Sequence, residues 1–188
     1  MDWKEQLSEI ESHFGHHENC DWKPAIEFVM NLVKKYPNDA EVYIRTIYIL
    51  HNILVEEYYP TIEHDKMADL LKYYFDKSYS LFSEQHEYLF FIGKILHIAE
   101  WYFGFEDETF AIEMQKKAMD KEPGNLLYEW AYRLSYSSGN EEGYLANQLI
   151  EHESAKIDWL KSKGFPGMYI LEHIQMSNKE YLAHKNSL

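Results

Sequence analysis

The amino-acid sequence predicts an all-α protein, and three features support this fold class. Apolar residues recur at the three- and four-residue spacing of helix faces along most of the chain. Only five prolines and eight glycines occur among 188 residues, and they cluster between the apolar stretches. Val, Ile and Thr rarely alternate with polar residues, as strands would require. We therefore expect a single helical domain over residues 1–188, with seven to nine antiparallel helices joined by short loops.

The first two predicted helices flank a polar loop. The first helix spans residues 2–14 and has one apolar stripe. A loop is expected at residues 16–20, and the second helix then carries Pro24 in its first turn, where a missing N–H costs nothing. Pro37 ends this second helix, because proline cannot continue the helical hydrogen-bond pattern.

The third and fifth predicted helices resemble each other. The third opens at residues 38–39 and is apolar over most of its circumference, so we expect neighbours on several sides. The fifth spans residues 86–104, and a shift of 46 positions aligns His51 with His97. Gly93 lies in the middle of this helix, where glycine costs about 1 kcal/mol relative to alanine. We therefore expect another helix to approach Gly93 closely.

The remaining helices are predicted from caps and breaks. The fourth spans residues 62–79, and three acidic residues at 106–108 open the sixth, where they complement a helix N-terminus. The eighth helix runs either to Lys163 or to a bend near residues 152–154. A break at 164–167 and a capping-box pattern that begins at Ser177 predict a final short helix.

One stretch resembles a known helical repeat. Ala111 and Ala118 lie seven residues apart on a helical pattern, and Pro123 follows five residues after Ala118. Residues 124–125 then form a turn before a new apolar helix. This arrangement resembles the second half of a tetratricopeptide (TPR) unit, which carries two small residues and then a proline at this spacing.

The TPR resemblance covers residues 23–150 and implies a TPR-like α-solenoid of paired helices. Residues 151–188 are then expected to form a C-terminal helical cap. The shift of 46 positions between similar helices exceeds the TPR period of about 34 residues, so the superhelix is expected to be irregular.

The charge balance restricts the class of partner. Lys and Arg total 18 against 32 Asp and Glu, which gives a formal net charge of −14. Binding to nucleic acid or to an anionic membrane is disfavoured, because both present phosphates that need cations. The charge favours a basic protein partner, although many soluble proteins are acidic without having one.

Other features predict a soluble cytoplasmic protein. Cys20 is the only cysteine, so the chain forms no internal disulfide and a reducing compartment suits it. The N-terminal residues lack the cationic and apolar segments of a signal peptide. No apolar run approaches the 18 residues that a membrane-spanning helix needs.

Metal chemistry has two weak candidates. His16, His17 and Cys20 form a short cluster, but a structural zinc site needs four ligands, and no matching pair occurs elsewhere. A solvated loop is therefore the preferred interpretation, and we expect no metal or other cofactor. The pair His64-Asp65 resembles the dipeptide of helical metal-dependent phosphohydrolases, which need further ligands from other helices.

Catalytic motifs are absent from the sequence. The HExxH, GxSxG, GxxxxGK and GxGxxG patterns do not occur, and no Ser, Cys or Lys has a recognisable nucleophile setting. We therefore expect no enzymatic activity.

The TPR resemblance implies a binding groove on the first helix of each pair. Placing the TPR pattern on the third and fifth helices puts carboxylates and aromatic or imidazole rings on this face, together with Lys94. Aromatic rings can anchor a partner, and carboxylates can bind arginine through two hydrogen bonds. An alternative stays open, in which several of these side chains pack against the terminal helices. The expected partner-binding residues are Glu41, Tyr48, His51, Asn52, Glu87, His97, Trp101, Glu106, Asp107 and Glu108.

Taken together, the chain resembles immunity proteins of bacterial toxin systems, including contact-dependent inhibition. It shares their acidity, their helical pattern, their aromatic content (16% here) and their lack of catalytic motifs. This resemblance implies that the chain neutralises a basic toxin, such as a nuclease, by masking its active site. Two other functions stay open: a TPR-like adaptor or chaperone that binds a peptide in its groove, and a metal-dependent hydrolase that uses His51, His64 and Asp65.

Overall fold

The computed structural model describes residues 2–12, 22–56, 61–136 and 141–185. Within these ranges the chain forms ten α-helices, one short 3-10 helix and no β-strand, which confirms the all-α class. Ten helices exceed the expected seven to nine. The helices are α1 (Trp3–Glu11), α2 (Trp22–Lys35), α3 (Ala40–Glu56), α4 (Thr61–Phe82), α5 (His86–Leu96), the 3-10 helix (Glu100–Phe103), α6 (Thr109–Lys121), α7 (Leu126–Tyr136), α8 (Glu141–His152), α9 (Ser154–Lys161) and α10 (Phe165–Lys185).

Helix α3 lies at the centre of the core. Its N-terminus is capped by Asp39, whose Oδ1 accepts the backbone N–H groups of Glu41 at 3.0 Å and Val42 at 3.4 Å. Every residue from position 42 to position 50 is buried. The helix packs against α2, α4, α5 and α10, which confirms that its wide apolar surface is enclosed on several sides.

Helices α5 and α6 approach each other closely at Gly93. A Cβ atom at this position would lie 2.8 Å from Gln115 Nε2 and 3.0 Å from Met114 Cβ. Ala111 and Ala118 are fully buried on the facing side of α6. The expected close approach at this mid-helix glycine is therefore confirmed.

The stop between α6 and α7 has the predicted form. Helix α6 ends at Lys121, Pro123 follows, and Gly124 takes a left-handed conformation with φ of 85°. Asn125 Oδ1 then accepts the backbone N–H of Leu127 at 3.1 Å and caps α7.

The fifth predicted helix ends earlier than expected. Helix α5 stops at Leu96 rather than continuing to residue 104, and the chain turns into the 3-10 helix. Phe103 is buried there, with its ring 5.3 Å from that of Phe75 on α4. A continuous helix would carry this aromatic segment past α4, so burial of Phe103 explains the early end.

The C-terminal region differs from the predicted short final helix. The break between α8 and α9 falls at Glu153, so the expected bend near residues 152–154 is confirmed and adds one helix to the count. Helix α10 runs without interruption through Ser177, which is buried, so the predicted capping box is wrong. Ser177 lies mid-helix because α8 packs against it: a Cβ on Gly143 would lie 3.2 Å from the Ser177 carbonyl oxygen.

Helices α9 and α10 cover one face of α3 and α5. The backbone N–H of Phe165 donates to Glu11 Oε2 at 2.9 Å, and the Phe165 ring lies 6.4 Å from the Tyr48 ring. Trp159 of α9 packs against Phe91 of α5 at 5.6 Å. The C-terminal segment therefore contacts the face on which the sequence predicts a groove.

Some predicted features fall outside the residues that the structure describes. They are the end of the first helix at residues 13–14 and the loop at residues 16–20. Among the helices that are described, none combines the length and apolar character needed to cross a bilayer.

Candidate functional site

The connection between α5 and α6, residues 97–108, carries four of the predicted partner-binding residues on the surface. Trp101 is 59% exposed, which is unusual for the largest side chain. Glu106, Asp107 and Glu108 are exposed as well. The structure therefore places one indole ring and three carboxylates on the same short segment.

Partly buried aromatic residues hold this α5–α6 connection against α4. The hydroxyl of Tyr102 lies 3.0 Å from His64 Nε2, and the Phe105 ring stacks on Phe110 with centroids 4.6 Å apart. Phe105 also packs edge-on against Phe75 at 5.9 Å. Because its neighbours are fixed in this way, the Trp101 side chain extends from a well-packed segment, although its own ring stays exposed.

The carboxylates of the α5–α6 connection are largely available for outside partners. Asp107 Oδ1 accepts the backbone N–H of Thr109 at 2.9 Å, and hydrogen bonds from the side chain and the backbone of Thr109 lower the pKa of Asp107. Glu108 Oε2 lies 4.0 Å from His97 Nδ1. In the part of the chain that the structure covers, no lysine or arginine pairs with Glu106, Asp107 or Glu108. Negative potential is therefore concentrated beside Trp101.

Two predicted groove residues lie in the core instead. Tyr48 is fully buried and donates its hydroxyl hydrogen to the carbonyl oxygen of Phe91 at 2.8 Å. His51 is buried against Phe103, with ring centroids 6.4 Å apart, and burial lowers its pKa to about 4. Neither side chain reaches a partner in this conformation, because α10 and the 3-10 helix cover α3 on these sides.

Two predicted carboxylates are engaged by the terminal helices. Glu41 Oε2 lies 2.7 Å from Lys4 Nζ of α1 and 3.6 Å from Lys163 Nζ. Glu87 Oε1 lies 2.6 Å from Lys163 Nζ. Both glutamates, and Tyr48 as well, therefore fit the alternative in which predicted groove residues pack against the terminal helices. Asn52 and His97 are partly buried.

A concave site near the N-terminus of α5 also combines acidic and aromatic groups. Its volume is about 300 Å³, and it lies between α5, the α6–α7 turn and α9. Each carboxylate in its lining already has an internal partner, so it attracts an external cation less than the α5–α6 connection does. The lining includes Glu87, Glu122, Tyr128, Glu153 and Trp159.

Metal ligands are not assembled among the described residues. No group of three or more His, Cys, Asp or Glu side chains there has the arrangement to hold a metal ion. His64 contacts Tyr102 through Nε2 and lies 3.6 Å from Asp65 through Nδ1, while His51 is enclosed in the core. The cluster of His16, His17 and Cys20 lies outside the described residues.

Lys94 is a predicted groove residue that the structure buries. The TPR pattern puts Lys94 on the groove surface, whereas the structure buries it to 2% exposure. A signal for this burial is present, because Lys94 is the only charged residue in the run from Tyr88 to Leu96. A lone cation inside such a run is enclosed together with its neighbours.

No protein-family model matches the chain, and no curated protein or solved structure is significantly similar to it. The case for a function therefore depends on the geometry and charge described above.

Proposed function

We propose that this chain is a non-catalytic acidic protein-binding module that serves as an immunity protein. In this role it neutralises a basic bacterial toxin, such as a nuclease, by masking the active site. The observation that carries the proposal is the α5–α6 connection, which presents the exposed Trp101 beside three carboxylates that lack a lysine or arginine partner among the described residues.

The negative charge of this surface explains how it would inhibit a nuclease. A nuclease cleft is cationic because it binds phosphates, and carboxylates compete for the same cations. The formal net charge of −14 would accelerate association through long-range attraction. The large indole ring of Trp101 would then supply the buried apolar contact that keeps a complex together.

We further propose an irregular TPR-like α-solenoid as the scaffold. Successive helices contact each other along much of the chain, and α3 contacts α5 as α5 contacts α7. Contacts between alternate helices in this order are expected of stacked helical hairpins. The close approach of α6 to Gly93, made through the buried Ala111 and Ala118, also supports the proposal.

The proposal is tested by capturing partners of the tagged full chain from its native host and measuring their activity. We expect a basic toxin domain whose activity the chain inhibits stoichiometrically, with affinity that falls as salt rises. An acidic partner, or a complex that leaves the toxin active, would contradict the proposal.

Two variants then locate the binding surface on the confirmed complex. Trp101→Ala should raise Kd at least tenfold through faster dissociation, as expected of an aromatic anchor. Glu106→Lys should mainly slow association. Glu180→Lys is the matched control, because it makes the same charge change at an exposed position in α10. Equal effects of Glu106→Lys and Glu180→Lys would show that only net charge matters and that the α5–α6 connection is not the contact.

A further inference from the structure

Lys94 is the only buried lysine among the described residues, and it lacks an anionic partner there. Its side chain lies within α5, where every residue from Tyr88 to Leu96 is buried. No hydrogen bond or ion pair joins Lys94 to any described residue. The other buried cation, Arg45, is bound through two nitrogens to the carboxylate of Glu11. Lys94 is therefore exceptional in a chain that has 32 acidic residues.

The surroundings of Lys94 are formed by three helices. Its Nζ atom lies 5.7 Å from the ring centroid of Trp130 on α7. Burial, and to a smaller extent the charge of Lys94, lowers the pKa of His97 at the end of α5 and the pKa of His173 on α10. Both imidazoles therefore lie within electrostatic range of the Lys94 ammonium group.

An isolated buried ammonium group is unfavourable. Burial lowers the pKa of Lys94 to about 8, so the side chain is still mostly charged at pH 7. The contact with the Trp130 ring compensates for only part of this cost, because burying an unpaired charge is more unfavourable than a cation–π contact is favourable.

Hydrogen-bond donors near Lys94 also lack acceptors. The Trp130 indole N–H is buried and has no hydrogen-bond partner among the described residues. His97 Nδ1 is also buried without a hydrogen bond, although Glu108 Oε2 lies 4.0 Å away. Buried polar groups are nearly always satisfied, so unsatisfied donors beside an unpaired cation indicate that an acceptor of negative charge belongs here.

We propose that Lys94 and the Trp130 indole N–H bind a small oxyanion, either a carboxylate or a phosphate. The ammonium group supplies the charge, and the indole supplies a directed donor. A bound anion would thus hold α5 against α7. This inference is independent of the proposed toxin partner.

The test compares thermal unfolding of the wild type and Lys94→Met in sodium chloride, sodium acetate and sodium phosphate at equal ionic strength and pH 7. We expect acetate or phosphate to raise the wild-type Tm saturably over chloride, by about 3–6 °C at ten times the dissociation constant. The anion that acts identifies carboxylate or phosphate as the ligand class. Lys94→Met should show no such rise.

Controls separate a specific site from a general salt effect. Lys179→Met removes an exposed lysine of α10 and should keep the full response. Lys94→Met is expected to fold, since it replaces an unpaired buried charge with an apolar side chain of similar length. Lys94→Gln provides a second neutral variant. If the wild type shows no saturable rise, or if all variants rise in parallel, the oxyanion site is wrong.

Discussion

The ion pair between Arg45 and Glu11 joins three helices through one carboxylate. Arg45 Nε and Nη2 donate to the two oxygens of Glu11 at 2.7 and 2.6 Å, and the Phe165 N–H donates to the same carboxylate. Burial raises the pKa of Glu11, because desolvation outweighs the attraction of Arg45. The pair thus fixes geometry but contributes little net stability.

A double-mutant cycle tests this account of the buried pair. Glu11→Leu removes the carboxylate that binds Arg45 Nε and Nη2, leaves Glu41 Oε1 at 3.8 Å as the remaining ion-pair partner, and should lower the free energy of unfolding by about 3–5 kcal/mol. Glu11→Leu combined with Arg45→Met should cost much less than the sum of the two single changes. Urea denaturation of the four proteins measures the coupling, and strictly additive effects would contradict it.

The buried imidazole of His51 makes stability depend on pH. Burial lowers its pKa from 6.5 to about 4, so the unfolded state takes up a proton first as pH falls. The stabilisation is fully present above pH 6.5 and is lost between pH 6.5 and 4. The slope reaches about 1.4 kcal/mol per pH unit.

Comparison with His51→Leu isolates this effect, because other titrating groups, including His173 and Glu11, are common to both proteins. Between pH 7 and pH 4 the wild type should lose about 2–3 kcal/mol of unfolding free energy relative to the variant. Denaturant titrations at pH 7, 5.5 and 4 provide the measurement. A constant difference across these values would show that His51 is not buried as a neutral ring.

Most helices were predicted from caps, breaks and apolar patterns within their own segments of the sequence. The cap at Asp39, the stop at Pro123 and the close approach at Gly93 are each signalled by a residue within the helix or turn concerned, and the structure confirms each of them. The end of α5 was not predictable in this way. It depends on Phe103 reaching Phe75 of α4, a tertiary contact that outweighs the helical pattern of residues 97–104.

The close contact between α5 and α6 determines how Gly93→Ala should change the free energy of unfolding. Alanine is the better helix former by about 1 kcal/mol. Its Cβ would, however, lie 2.8 Å from Gln115 Nε2, 3.0 Å from Met114 Cβ and 3.2 Å from the Ala111 carbonyl oxygen. Because backbone cannot yield as a flexible side chain does, overpacking should exceed the gain in helix propensity. We expect Gly93→Ala to lower the unfolding free energy by about 1–2 kcal/mol.

Adding Gln115→Ala removes the nearest contact and tests the steric explanation. The double variant should be less destabilised than the sum of the two single variants, as measured by urea denaturation. If Gly93→Ala stabilises the protein, α6 lies further from α5 than the structure places it.

The C-terminal segment, residues 154–185, determines which predicted site residues remain accessible to a partner. Lys163 pairs with Glu87, and the Phe165 N–H reaches Glu11, although these partners are 76 and 154 residues apart in sequence. No periodicity encodes contacts over such separations, so the sequence could not show that α9 and α10 would cover Glu41, Tyr48 and Glu87. The acidic run at 106–108 was predictable because its exposure depends only on its position before a helix.

Gly164 controls how this C-terminal segment attaches. Its φ of 65° suits glycine, and a Cβ there would lie 2.5 Å from both Arg45 Nη2 and Glu11 Oε2. Gly164→Ala should therefore displace the start of α10 from the buried ion pair. Hydrogen exchange should accelerate at least tenfold in residues 165–185, while α6 and α7, which lack contact with this ion pair, keep their protection. Gly124→Ala is the matched control, since it has a similar φ but open space around it. Faster exchange throughout the molecule, or equal effects of the two substitutions, would show that α10 is not attached through this contact.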